Sequence, residues 1–334
     1  MLPIMKGLTI LLVLPSNAAW SLHRGKALLF RKKHKEGKTT VGDVVVAKSL
    51  LVGQIESFPS DVSSVVTNNS SSGGSSSMSN CALDIDSIDD PDWLKARALM
   101  EKRSLKDCEE AAAIYEQCIA RYSKINGIGG VDPQLFLEAA QSRNAVMRIK
   151  THSNTLHITK MLDTPENKEV WKMHGPRAME LASMAKEGLS PTHPEAMVCY
   201  ADAYFFANSV KGLLSAAVTG SGLTFKANSK ELIQNCEHAE AGIGHAYLGA
   251  FFLMAPWPIY NARAAEKHLM AAYNIAPCRR NAYYLGVMYY RLGNKAQAAK
   301  YFREAISAKP LTPSEGDFTE WVEREATLAL DACA

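Results

Sequence analysis

The chain has 334 residues, of which 47% are hydrophobic and 21% charged, a composition typical of a globular core and long enough for one or two domains. Residues 1–50 carry nine Lys or Arg and two acidic residues, a local charge of +7 within a net charge of +3. The remaining residues therefore sum to −4, which argues against a nucleic-acid partner for the folded part.

The cysteines and histidines form no recognisable metal or redox motif. The seven cysteines have no CxxC pair and no histidine at zinc spacing, which predicts buried or incidental thiols in a reducing compartment. His238 and His245 flank Glu240, but the spacing is not HExxH and no third ligand is evident. No Ser/His/Asp order, nucleophile elbow, P-loop or dinucleotide fingerprint is found. We therefore expect a non-enzyme with no catalytic residue, metal or cofactor.

Residues 1–20 have the layout of a secretory signal peptide. Lys6 precedes an apolar run at residues 7–15, and the small residues Asn17, Ala18 and Ala19 follow it. The run is too short to span a bilayer, so we predict no transmembrane helix in the mature chain. An uncleaved anchor or a buried strand is the alternative.

Residues 21–56 form a second, basic part of this leader. Residues 21–38 are nearly free of acids and carry hydroxyl groups, as organelle transit peptides do. A signal peptide followed by such a segment resembles the bipartite plastid leader of algae with secondary plastids, and Ala18-Ala19-Trp20 resembles its cleavage junction. The resemblance implies a plastid protein. The alternative is the secretory pathway or secretion, in which case the sequons at Asn68 and Asn69 could be glycosylated.

Residues 57–83 are rich in serine and glycine and predict a disordered linker, because such a segment buries too little apolar surface to offset its ordering entropy. The folded domain is predicted at residues 84–334. Helices are predicted, in chain order, from Pro91, at 105–123, at 132–151, at 176–188, from Pro194, within 212–225, at 229–240, at 242–254, at 265–277, at 282–310 as a hairpin, and at 318–334. Residues 152–165 have no clear assignment.

Residues 282–310 show how these helices pair. Leu285, Gly286 and Tyr289 share a face of one helix, and Ala298 and Phe302 share a face of the next. Small residues at a close approach of two helices, with large ones beside them, are the pattern of a tetratricopeptide (TPR) repeat. Similar small–large–small spacings recur from residues 111, 178 and 265. The fold is therefore predicted to be all-α, a TPR-like array of helical hairpins with about ten to twelve helices.

Residues 242–310 resemble the TRAP-transporter T-component (TatT-like) family more narrowly. The resemblance is carried by Gly-Ile-Gly-His-Ala-Tyr-Leu-Gly, a Pro-Trp-Pro turn, Ala-Glu-Lys-His-Leu and Asn-Ala-Tyr-Tyr-Leu-Gly. It implies a TPR-like protein that accompanies a solute-binding protein. The leader has no lipobox cysteine, however. The resemblance therefore implies the fold of that family for this chain and does not imply its transport role. Regulator-of-microtubule-dynamics proteins have similarly placed Leu-Gly and Ala-Pro pairs, and this resemblance ranks second.

In such hairpins the first helix lines the concave surface, and this predicts a groove for a protein partner, a peptide or a hydrophobic small ligand. The predicted groove residues are Arg280, Tyr283, Val287, Tyr290, Leu253 and Phe205. The alternative is that these side chains are core. Trp257 and Tyr260 lie in an apolar turn that either contacts a partner or folds back onto the array. The predicted function is protein–protein interaction or assembly, with a TRAP-type accessory solute-binding role as the alternative.

Overall fold

A computed structural model describes residues 90–153, 155–158, 164–212 and 220–334. The predicted signal peptide, transit-like segment and linker, and the predicted domain start at residue 84, lie outside these residues. The described part of the chain contains twelve α-helices and no strand, so the prediction of an all-α helical-repeat array is confirmed. The helices are α1 Pro91–Lys102, α2 Leu105–Asn126, α3 Pro133–Thr151, α4 Pro165–Leu189, α5 Pro194–Ser209, α6 Ser221–Cys236, α7 Ile243–Met254, α8 Ala262–Ile275, α9 Arg279–Arg291, α10 Lys295–Ser307, α11 Pro313–Gly316 and α12 Thr319–Cys333.

Side-chain caps fix the starts of many helices. The Asp90 side chain accepts hydrogen bonds from the backbone N–H groups of Asp92 and Trp93 at the start of α1. At the start of α3 the Asp132 side chain accepts one from the Gln134 N–H. Proline occupies the first helical position of α1 and α3. It fits there because the backbone N–H that proline lacks would have no intrahelical acceptor. The start of α10 is capped by Asn294, which follows the left-handed Gly293 in the α9–α10 turn.

The prediction that a helix begins at Pro176 is wrong, because α4 begins at Pro165 and continues through Pro176. Thr164 caps the true start by accepting a hydrogen bond from the Asn167 amide. A proline inside a helix removes one backbone hydrogen bond. Burial of Trp171 and Ala178, on either side of Pro176, holds the helix together where α4 packs against α3 and α5.

Each helix from α1 to α9 packs against the next, α10 packs against α12, and α7 also contacts α9. Helix α5 contributes to two apolar cores. Its Cys199 and Phe206 belong to the core of α1–α5, whereas Met197 and Ala201 belong to the core of α5–α12. Helix α5 is thus apolar on more than one side, as expected of a helix buried between neighbours.

Four cysteines are buried and two are half-buried among the described residues, and all six are free thiols. Burial raises the pKa of the Cys108 thiol to about 11, which keeps it protonated and unreactive. Within the described ranges no helix is long and apolar enough to cross a membrane.

Candidate functional site

Three of the four predicted groove residues of α9 lie in the core. Arg280 is 2% exposed, and both Tyr283 and Val287 are 0% exposed. Leu253 on α7 is also buried. The structure therefore differs from the prediction that these side chains line an accessible concave surface.

The chain's own segments cover this face. The backbone N–H of Thr155 donates to the hydroxyl of Tyr284 at 3.2 Å, and Arg291 donates to the carbonyl of His157 at 2.7 Å. From the C-terminal side, the carboxylate of Glu315 accepts a 2.7 Å hydrogen bond from the Arg280 backbone N–H. Leu156 is fully buried in the same core as Tyr283. These contacts leave no room for a peptide on the inner face of α9.

Arg280 holds a turn of the backbone. Its guanidinium donates to the carbonyls of Glu240 and Ala241 at 2.6 and 3.3 Å. Both residues have positive φ, 46° and 57°, as the chain turns from α6 into α7. The neighbouring Asn281 amide lies 2.9 Å from the same Ala241 carbonyl. Arg280 therefore stabilises the fold and does not lie on an accessible groove.

A buried ionic cluster lies beside this turn. Arg148 Nη1 lies 2.5 Å from Asp202 and Arg148 Nε lies 2.8 Å from Asp317, which also pairs with Arg103 at 2.7 Å. The Tyr247 hydroxyl donates to Asp202. Burial raises the pKa of Asp202 even though Arg148 and Tyr247 favour its charged form. Each charged member has a partner within the cluster, so we assign the cluster a structural role.

An apolar pocket opens at the surface where the end of α5, the start of α6 and the end of α7 meet. Its volume is about 170 Å³. The large side chains lining it are Tyr204, Phe205, Leu223, Phe225, Phe251, Met254 and Ile259. Phe205 and Phe225 have ring centroids 5.8 Å apart and form an aromatic wall. Leu223 is 55% exposed and Ile259 37% exposed, so apolar surface reaches solvent at the rim.

Three polar side chains that line this pocket are already hydrogen-bonded inside the protein. The Asn208 amide donates to the Tyr204 carbonyl at 2.9 Å, and the Ser209 hydroxyl donates to the Phe205 carbonyl at 2.8 Å. The Thr155 hydroxyl lies 2.8 Å from the Tyr284 hydroxyl. The pocket thus suits apolar groups better than a polar solute, which would need free donors or acceptors.

The Pro-Trp-Pro turn borders the pocket and holds a tryptophan in solvent. Trp257 is 89% exposed, so of the two predicted alternatives it does not fold back onto the array. The turn itself is fixed, because the Ile259 N–H donates to the Pro256 carbonyl at 2.9 Å and the Asn261 N–H to the Phe252 carbonyl at 3.0 Å. A large aromatic side chain on a fixed backbone is the kind of residue that anchors protein interfaces.

The remaining predicted site residues divide between core and pocket. Tyr290 is half-buried and packs against Phe302, with ring centroids 6.5 Å apart. Phe205 lines the pocket, and Tyr260 is 44% exposed in the turn beside it. The structure thus brings Phe205, Trp257 and Tyr260 to one region.

Sequence reasoning missed Leu223, Phe225 and Phe251 as surface residues. Leu223 and Phe225 lie on α6 and Phe251 lies on α7, and no periodic pattern connects these two segments. The available signal was the apolar, serine- and glycine-rich stretch at 212–225, which is unusual for the surface of a repeat array.

Two histidines meet between α7 and α8. The Nδ1 atoms of His245 and His268 are 3.0 Å apart, and His245 Nε2 lies 2.9 Å from Glu237. Burial, and then the neighbouring His245, lower the pKa of His268 to about 4. No group of three or more His, Cys, Asp or Glu side chains in the described part of the chain is placed to hold a metal ion.

The comparisons with known proteins concern one hairpin. Residues 281–310, which cover most of α9 and all of α10, match the family model described as tetratricopeptide repeat. A comparison with curated proteins gives no match. The match supports a TPR-like superfamily for the array. The resemblance to TRAP T-component proteins stays a prediction.

Proposed function

We propose that this chain is a non-enzymatic helical-repeat protein that binds a partner protein through the apolar pocket between α5, α6 and α7. The TPR match favours a protein-interaction role over catalysis. The proposal places the partner in this pocket and not in the predicted concave groove, because Arg280, Tyr283 and Val287 of that groove are core.

The observation that carries the proposal is the combination of an apolar pocket with the exposed Trp257 beside it. Apolar surface that stays in water has an unfavourable solvation free energy, and a partner's side chains relieve it by filling the pocket. Aromatic residues at the centre of an interface contribute a large part of the binding free energy. The internally paired polar lining leaves apolar contact as the main source of affinity.

Photocrosslinking tests this proposal. Benzoylphenylalanine replaces Leu223 at the pocket rim in one variant and Leu328, an exposed leucine on α12, in the control. We expect a protein adduct from position 223 in the source organism's extract and none from position 328. The adduct should disappear when Ile259→Asp is added at the rim. Equal adducts from the two positions, or none at 223, would overturn the proposal.

A hydrophobic small ligand, the accessory role of the TRAP type, is the second candidate for the same pocket. Its apolar lining favours this candidate over a polar solute. Native mass spectrometry of the protein from its source separates the two candidates. A bound small molecule that Leu223→Asp releases would favour the ligand, whereas a bare mass with the crosslink present would favour the partner protein.

We also propose that the chain is a plastid protein, on the leader pattern of residues 1–56 alone. A fluorescent fusion of residues 1–83 tests this, with a fusion of residues 84–334 as its control. Fluorescence that stays in the secretory pathway would favour the alternative location.

A further inference from the structure

We infer that the segment bound in this pocket is an amphipathic helix of the partner with acidic side chains beside its apolar face. The inference rests on the proposed function, since it concerns the same site. It adds a charge to the partner that an apolar pocket alone does not specify.

The chain segments that contribute side chains to the pocket are basic. The three chain segments that surround it, residues 204–212, 220–230 and 250–263, contain no Asp or Glu. They contain four cationic residues: Lys211, Lys226, Lys230 and Arg263. This sign is opposite to that of residues 51–334 as a whole, which sum to −4. Complementary charge around an apolar centre selects partners and speeds their association.

Lys226 is the cation whose position is best defined. Its ammonium lies over the rings of Phe251 and Phe252, 5.6 and 5.2 Å from their centroids, and Phe251 lines the pocket. The acidic residue next to these cations on α6, Glu231, already pairs with Lys186 at 2.8 Å. No carboxylate pairs with Lys226 within the described residues, so its charge is available to a ligand at the pocket edge.

The size of the pocket favours side chains over a lipid. A dry cavity of about 150 Å³ is enough to hold benzene. The volume here, about 170 Å³, therefore suits one leucine or phenylalanine side chain inside and neighbours along the rim. A long acyl chain is several times larger than benzene. An amphipathic helix presents apolar residues three and four positions apart, which can fill the pocket and meet Leu223 and Trp257 together.

Two synthetic peptides of about 16 residues test the charge, each with the same leucine face and with either Glu or Lys beside it. Binding is measured by fluorescence anisotropy on residues 84–334, after circular dichroism and a melting curve have shown that this fragment folds as in the full chain. We expect the Glu peptide to bind about tenfold more tightly at low salt and the difference to shrink at about 0.3 M salt. A Glu peptide with scrambled leucines should not bind.

The double variant Lys211→Glu/Lys226→Glu should reverse the preference, and Lys309→Glu, an exposed lysine on another part of the surface, should leave it unchanged. Equal binding of both peptides that Leu223→Asp abolishes would overturn the acidic partner while retaining the pocket as a site. Binding unaffected by Leu223→Asp would count against both proposals. Binding of laurate but of neither peptide would also overturn this inference, in favour of a small ligand.

Discussion

A Cβ atom added to Gly286 would lie 2.5 Å from Cδ1 of Phe302, because the backbone of α9 lies directly against this ring on α10. The preceding hairpin repeats the arrangement, since a Cβ on Gly249 would lie 2.6 Å from Cγ of Leu269. Two successive hairpins thus use one small–large contact to bring their helices together.

Replacing Gly286 with alanine should destabilise the protein despite alanine's higher helix propensity. The ring of Phe302 is fully buried and cannot move away, and overpacking of a core costs about 1–3 kcal/mol. Gly286→Val should cost more. The free energy of unfolding from urea titration measures this, and Gly316→Ala, where a Cβ meets no atom within 4 Å, is the matched control. An unchanged unfolding midpoint in Gly286→Val would contradict the packing argument.

The hairpins could be predicted from the sequence because this contact depends on residues of one repeat. Gly286 and Phe302 are 16 positions apart, and the small–large–small spacing around Phe302 recurs from residues 111, 178 and 265. The burial of the concave face could not be predicted in this way. It depends on residues 155–158, which are irregular, and on Glu315 in the four-residue helix α11, and both segments are too short to show a periodic pattern.

The pocket shows the same limit. Phe205, Phe225 and Phe251 come from three helices, and the relative positions of helix ends decide whether they form core or surface. The Pro-Trp-Pro turn could be singled out as apolar from the sequence. Its exposure could not, because backbone hydrogen bonds to Phe252 and Pro256 set its course.

Breaking the buried ionic cluster should be costly. Asp317→Asn would leave Arg148 and Arg103 facing a neutral amide, and removing one partner from a buried ion pair costs about 3–5 kcal/mol. Burial alone would disfavour the charged form of Arg148, yet Asp317 and Asp202 raise its pKa above the usual value. Thermal unfolding measures the loss. Glu110→Gln is the control, because it breaks an exposed pair with Lys95, for which we expect a much smaller loss. Equal losses in both variants would contradict the assignment of a structural role to the cluster.

Arg280→Met should lower stability without changing binding at the pocket. It removes the donor of the Glu240 carbonyl, whereas the Ala241 carbonyl keeps the Asn281 amide, and a buried group left without a partner costs about 1–3 kcal/mol. The affinity of the Glu peptide, measured on the fraction that stays folded, should equal that of the wild type. Tyr290→Phe, which keeps the packing against Phe302, should change neither quantity. Weaker peptide binding in a fully folded Arg280→Met protein would instead restore Arg280 to the binding surface.

The stability of the protein should fall as the pH drops from about 6.5 to about 4, partly through His268. Its pKa falls from 6.5 in the unfolded chain to about 4 in the folded one, so within this window the unfolded state binds more protons. Burial is the main cause, followed by His245 and by Lys267 and Lys230.

His268→Phe should flatten this pH dependence. Phenylalanine keeps a ring against Phe252, which is stacked on His268 with centroids 6.0 Å apart, but it cannot take up a proton. Melting temperatures at pH 7.5 and pH 5 measure the effect, and the drop between them should be smaller in the variant than in the wild type. His238→Phe is the control, because His238 is exposed in the turn after α6, and it should keep the full drop. If His268→Phe loses as much stability on acidification as the wild type, the buried carboxylates rather than this histidine determine the acid response.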